Sequence, residues 1–289
     1  MAKILITGGS GLIGKRLTEI LKNSNHTISI LSRNPKKTHE FKWDISADFI
    51  DKDALINTDY IIHLAGDGIA DKRWSSDRKT EIIDSRVKSA NLLFKKIKEL
   101  NIPLKGFISA SGSNYYGAKT TTNIYQETDA AGTDFLGEVC EKWEAAANEF
   151  KSLNIPVTIL RTGVVLSKNG GALDKMKTPI ISPLGKGNQY MPWIHIDDLC
   201  YLYLKTIEDN LEGIYNSVSP EQHTNKSFSK ILAKTINRPY LPISVPSFLL
   251  KIVFGELAII LLEGSQLCTK KITKVYDFKY ASLEEALKH

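Results

Sequence analysis

Two spacings of apolar residues alternate along the first 165 residues of the chain. Short unbroken runs occur at Ile4-Leu5-Ile6, Thr27-Ile28-Ser29-Ile30-Leu31, Tyr60-Ile61-Ile62-His63-Leu64, Gly106-Phe107-Ile108-Ser109-Ala110 and Val157-Thr158-Ile159-Leu160. Runs of this length predict strands buried on both faces. Between them apolar residues recur in steps of three and four, which puts each set on one helix face. Leu12, Ile13, Leu17, Ile20 and Leu21 form one such stripe. Ile83, Val87, Ala90, Phe94 and Ile97 form another, on a long helix over 76–100. Leu136, Val139, Cys140, Trp143, Ala146, Ala147 and Phe150 form a third. Lys79, Arg86, Lys88, Lys95 and Lys98 fall off the second stripe and read as its solvated side. The alternation predicts the α/β class, a doubly wound parallel sheet covered by helices on both faces.

From about 166 the texture changes. Glycine and proline cluster at Gly170-Gly171, Pro179, Pro183, Gly185 and Gly187, and Trp193-Ile194-His195-Ile196-Asp197-Asp198-Leu199 opens a helix. Further helices are expected over 225–236, 247–264 and 282–287. The economical division is a nucleotide-binding domain over 1–165, to which 196–217 return. A smaller, mostly helical C-terminal domain then takes 166–195 and 218–289 and caps the carboxyl edge of the sheet, where ligands of such folds bind.

Composition changes this picture little. The 289 residues are 42% hydrophobic and 24% charged, ordinary globular values. A net charge of +6 suits an anionic ligand, but the basic residues are scattered rather than clustered, which argues against nucleic acid. Cys140, Cys200 and Cys268 lie far apart, against a zinc site or a disulfide framework and for a reducing compartment. Met1-Ala2-Lys3 leads directly into a strand, so no signal peptide is expected. The apolar stretch over 245–262 carries Lys251 and Glu256, so it reads as an amphipathic helix and no membrane partner is expected. A cytoplasmic protein with a small-molecule substrate follows, and a homodimer is compatible with it.

The candidate chemistry begins at Thr7-Gly8-Gly9-Ser10-Gly11-Leu12-Ile13-Gly14. A strand, a glycine turn and a helix in this order make a Rossmann-type dinucleotide site. One glycine makes the turn, a second admits a pyrophosphate, and a third lets the helix pack on the strand. The helix then presents free N–H groups and its positive dipole end to the phosphates.

With His63-Leu64-Ala65-Gly66, Ser109-Ala110-Ser111, Tyr116-Gly117, His195-Ile196-Asp197-Asp198 and Tyr215-Asn216, this turn resembles the extended short-chain dehydrogenase/reductase family over 4–217. Other segments look like one branch of it, labelled epimerase family protein or NAD-dependent epimerase/dehydratase. They are Ile69-Ala70-Asp71-Lys72-Arg73-Trp74, Asp84-Ser85-Arg86, Phe135-Leu136-x-Glu138-Val139-Cys140-x-x-Trp143-Glu144, Arg161-Thr162-Gly163-Val164-Val165-Leu166 and the last ~50 residues. The resemblance implies cofactor contacts at Gly8, Gly11, Leu12, Ile13, Gly14, Leu64, Ala65, Gly66 and Ser109. It also matches Asp44 to an adenine-side aspartate, with turn capping as the alternative.

An acid about twenty residues beyond the glycines normally holds the ribose of NAD. Here Arg33 stands nineteen residues after Gly14, and a guanidinium pairs with a 2′-phosphate. NADP is the expected cofactor and NAD the alternative; Arg33 as a solvated loop residue is the other reading. The family's reductases and epimerases use a tyrosine and a lysine four residues on, along one helix. Aligned on Trp143-Glu144, those positions fall near Leu136 and Cys140, so the active site is expected to be non-standard. Tyr115 and Lys119 have the spacing but precede the helix, with Gly117 between them. Ser111, Tyr115 and Tyr116 are the catalytic candidates, with strand-end packing as their alternative. Arg73 and Trp74 are candidates to clamp a substrate or, alternatively, surface-loop residues, and His195 is a candidate acid or base or, alternatively, a joint between domains. The function expected is an NADP-dependent oxidoreductase or epimerase on a small substrate; the alternative is a non-catalytic NADP-binding redox sensor.

Overall fold

The computed structural model describes residues 1–289, and the runs of Ile, Leu and Val become the middle of one large sheet. In chain order the first half gives β1 (Lys3–Thr7), α1 (Leu12–Asn23), β2 (Thr27–Ser32), β3 (Glu40–Asp44), β4 (Phe49–Ile50), β5 (Tyr60–His63), α2 (Ser76–Glu99), β6 (Gly106–Gly112), β7 (Ile124–Tyr125) and α3 (Phe135–Asn148). The second half gives β8 (Val157–Thr162), β9 (Val164–Leu166), α4 (Ala172–Met176), β10 (Trp193–His195), α5 (Ile196–Glu208), β11 (Gly213–Ser217) and α6 (Asn225–Thr235). The chain closes with α7 (Ser247–Phe254), α8 (Ile259–Leu262), β12 (Gln266–Leu267) and α9 (Leu283–Lys288).

The sheet runs β11-β8-β6-β5-β1-β2-β3-β4, with every pairing parallel except β3 with β4. Strand order reverses at β1, and the crevice at the carboxyl ends of β1 and β5 is where such sheets hold ligands. Strand side chains alternate between faces. Ile4 and Ile6 pack with Leu17 and Leu21 of α1 and Leu199 of α5 on one face. Leu5 packs with Leu93 and Ile97 of α2 and Phe150 on the other. A separate apolar cluster joins Leu166, Trp193, Phe228 and Leu232 to Leu283 and Leu287 of α9.

Four expectations change. β3 and β4 were not anticipated: Glu40 and Lys42 interrupt the apolar pattern, as an edge position tolerates. Trp193–His195 is a strand paired with β9, and the helix begins only at Ile196. The helix expected over 247–264 breaks at Gly255, whose φ of +62° leaves the helical region; no helix is long and apolar enough to cross a membrane. On α2 the most buried line is Ile82, Arg86, Ser89, Leu93 and Ile97, while Ile83, Val87 and Phe94 are only partly covered. Packing on both the sheet and α3 rotates the buried face toward Ile82, and Arg86 goes inside with it.

Candidate functional site

The glycine turn forms an empty-walled cradle. Gly8 has φ +70°, and a Cβ there would lie 2.9 Å from the Leu64 carbonyl carbon. A Cβ on Gly14 would lie 2.4 Å from the Gly8 oxygen, so that position binds helix to turn. Gly11 caps α1 and donates its N–H to the Gly8 oxygen at 3.0 Å. An added Cβ on Gly11 would meet only that oxygen, at 3.3 Å, with open space beyond. No side chain caps the helix and its first turn holds no acid, so the N–H groups of Leu12 and Ile13 remain for an anion. These residues fit a pyrophosphate.

Behind the cradle Thr7 ties β1 to β5. Its hydroxyl oxygen accepts the N–H groups of Leu64 and Ala65, both at 3.1 Å. Its proton therefore goes to Nδ1 of His63 at 2.9 Å, which puts the ring proton on Nε2, facing the Ser89 hydroxyl at 3.3 Å. Ser89 in turn donates to the Ser85 carbonyl at 2.7 Å. Burial pushes His63 down to about 4, so the imidazole is neutral at ordinary pH.

Toward β2 and β3, Arg33 is exposed at the strand end with no protein partner. Asp44 caps its own turn: one oxygen accepts the Ser46 hydroxyl at 2.6 Å and the N–H groups of Ser46 and Ala47. The Ser46 bond leads the causes that hold Asp44 below its ordinary carboxylate range.

Toward β6 and β8 the strand ends carry a closed polar network. Arg161, 1% exposed, donates to both oxygens of Glu144 at 2.9 and 2.8 Å. It also donates to the Tyr116 hydroxyl at 2.9 Å and the Glu127 carbonyl at 3.1 Å. Its guanidinium carbon lies 3.3 Å from the centre of the Tyr115 ring. Ser111 donates to Glu144 at 2.7 Å, and Tyr116 donates to Asn216 at 2.7 Å. Burial pushes Tyr116 up to about 12 despite Arg161. The hydroxyls of Ser111 and Tyr116 are thus engaged in holding strand ends together, and Ser109 donates to the Ala110 carbonyl. Tyr115 ends in a 3-10 turn and Lys119 lies beyond Gly117 on an exposed loop, so no helical turn carries that pair. The helix positions hold Leu136 and Cys140, both buried; burial pushes the Cys140 thiol up to about 11.

A cavity of about 950 Å³ opens beside this edge, lined by Trp74, Phe135, Lys119, Lys186, Lys251 and Glu263 among others. Trp74 packs its ring edge-to-face on Phe135 at 4.8 Å. Arg73, expected to clamp a substrate, instead donates to the carbonyls of Ile252 and Val253 at the end of α7. His195 is buried; its Nδ1 accepts the Asp197 N–H at the start of α5, and its ring lies 4.0 Å from that of Tyr280. These contacts set His195 between the start of α5 and Tyr280 near the C-terminus.

Arg86 and Glu144 sit inside the molecule at positions read only as family landmarks or solvated residues. For Glu144 and Arg161 the available signal was a charge embedded in an apolar pattern. Nothing in the spacing singled out the Thr7–His63–Ser89 chain.

Residues 4–217 match the model of the NAD dependent epimerase/dehydratase family, and residues 245–289 match a domain of unknown function. The chain belongs to the NAD dependent epimerase/dehydratase family. It is 32% identical to the mouse epimerase family protein SDR39U1 over 99% of this chain and 98% of that protein. It is 36% identical to epimerase family protein Mb2239 of Mycobacterium bovis, over 89% and 86%. The crystal structure of human SDR39U1 with NADPH superposes with a TM-score of 0.88 at 31% identity, covering 99% of this chain and 98% of that one.

Proposed function

We propose that this family member is an NADP-dependent oxidoreductase or epimerase acting on a small anionic substrate. The observation that carries the reading is the uncapped glycine cradle combined with an unpartnered Arg33 where an NAD site would have an acid. The human relative solved with NADPH supports the cofactor choice. Bound NADPH would supply the hydride. The chain's own residues would orient it: α1 takes the pyrophosphate, Arg33 takes the 2′-phosphate, and Thr7 fixes the β1 and β5 ends against each other.

The cavity supports an anionic substrate. Its carboxylates are engaged: Glu256 with Lys79 at 2.5 Å, Glu263 with the N–H and hydroxyl of Thr120, and Asp134 with N–H groups of α3. Lys119, Lys186 and Lys251 have no carboxylate within ion-pair distance, and Trp74 and Phe135 add an aromatic wall.

A second reading, an NADP-binding redox reporter, is favoured by one observation: the Ser111 and Tyr116 hydroxyls are both held in the Arg161 network. Calorimetry with NADPH, followed by NADPH oxidation against a panel of carboxylate- and phosphate-bearing carbonyl compounds, separates the two. Binding with turnover of an anionic compound supports the enzyme, and binding without any turnover supports the reporter. An unchanged NADPH affinity in a folded Gly11→Val variant would overturn the cofactor site itself.

A further inference from the structure

Seven of the twelve large hydrophobic side chains that the fold leaves exposed fall on one part of the molecule. Four of them, Phe248, Leu249, Ile252 and Val253, stand at i, i+1, i+4 and i+5 of α7, which is one helix face. The other three, Ile180, Leu241 and Ile243, sit on two backbone-paired segments, 180–185 and 239–245, the second of which runs into α7. The face is held in place rather than frayed. Leu250 is buried on the inward side of the helix. Arg73 donates to the carbonyls of Ile252 and Val253, and Glu256 just beyond pairs with Lys79. An apolar patch of this kind facing water marks an interaction site.

Charge says what covers it. Segments 179–188 and 238–255 carry Lys186, Arg238 and Lys251 and no Asp or Glu, and none of these three cations has a carboxylate within ion-pair distance. A second copy docked by the same face sets like charges together with no acid to answer them. Two turns of helix and a short ribbon also fall short of the roughly 20–30 residues a side that a stable protein interface takes. Phe248, Ile252 and Ile243 are 60%, 68% and 70% exposed, so they stand out as wedges rather than line a groove for a partner helix. Projecting apolar side chains flanked by cations suit the boundary between lipid headgroups and acyl chains. We propose that α7 and the ribbon beside it dock this protein on an anionic lipid surface. Phe248, Ile252 and Ile243 enter the acyl boundary, and the cations around them meet the headgroups. Lys251 and Glu256 exclude a span across the bilayer, and no helix is long and apolar enough for one, but neither excludes a helix lying on the surface. Ser247 and Lys251, on the flank of the same helix, line the cavity, so docking sets one wall of the cavity near the lipid.

The inference stands apart from the cofactor reading, and vesicle co-sedimentation of the full chain tests it. Wild type is mixed with vesicles of phosphatidylcholine alone and of equal parts phosphatidylcholine and phosphatidylglycerol. It should bind the anionic vesicles, bind the neutral ones about tenfold more weakly, and let go in high salt. Ile252→Glu and Ile243→Glu should each weaken binding about tenfold, the scale of one aliphatic side chain returned to water. Arg238→Gln should weaken it about fivefold, and all three variants should melt within a few degrees of wild type, as surface substitutions do. A wild type that ignores anionic vesicles, or binds both kinds equally, overturns the proposal, and so do variants that bind as wild type does. Phe248→Trp gives a test that needs no loss of binding. Its added emission should be quenched by phosphatidylglycerol with brominated acyl chains, and an unquenched signal overturns insertion. In sedimentation velocity without lipid, a wild-type dimer that Ile252→Glu dissolves would assign the face to a second copy and overturn the proposal.

Discussion

Two buried arginines stand near the carboxyl edge of the same sheet in opposite states. Arg161 is fully answered: Glu144 takes two of its bonds, Tyr116 and Glu127 take the others, and Tyr115 covers its face. The net effect of burial, which opposes charge, and of Glu144, which favours it, is a guanidinium held above its ordinary value. Arg86 has the burial without the answer, and desolvation pulls it below its ordinary value. Pairing turns a buried charge into a structural tie, here joining β6, α3, β8 and β11. Arg86 is left with only the Ile82 carbonyl and the Ser85 hydroxyl as hydrogen-bond partners.

The largest effect should come from breaking the paired side. Glu144→Gln leaves Arg161 buried without a counter-charge and should cost about 3–5 kcal/mol of stability in a denaturant titration; a change below about 1 kcal/mol would mean Arg161 is not held by charge. His63, which borders Arg86, gives the next effect. Its value of about 4 in the folded chain lies below the ordinary 6.5, so the unfolded chain takes up the proton first. Stability should therefore fall as pH drops from 6.5 toward 4, by about 3 kcal/mol at the acid end. A pH series on His63→Gln should lose that part of the slope. A smaller effect tests the adenine end: Arg33→Ala should weaken NADPH by about 1.5–3 kcal/mol and barely change NADH. Equal losses would remove Arg33 from the 2′-phosphate. Smallest of all, Lys119→Ala should leave NADPH affinity within about twofold, as an exposed loop residue should.

The sheet was legible because its strands are continuous apolar runs and the glycine turn follows the first of them. The edge was not: β3 reads Glu-Phe-Lys-Trp-Asp, and one buried Trp43 is too little signal to separate a strand from a loop. In the site, the cradle could be read because φ and close approach restrict those positions to glycine. Arg86 could not, because the apolar stripe of α2 fits two neighbouring registers. The choice between them depends on how α2 sits between the sheet and α3. The contacts of Arg73 could not be read for a related reason: its partners are backbone carbonyls of α7, some 180 residues away in sequence, and carbonyls leave no sequence pattern.

Thermal unfolding of wild type, Arg86→Met and Arg161→Met tests the contrast most directly. Arg86→Met should melt within a few degrees of wild type, because the charge it loses has no counter-ion in the chain. Arg161→Met should melt far lower, because it leaves Glu144 buried without its partner. An Arg86→Met variant that melts as low as Arg161→Met would show that Arg86 is a structural residue like Arg161.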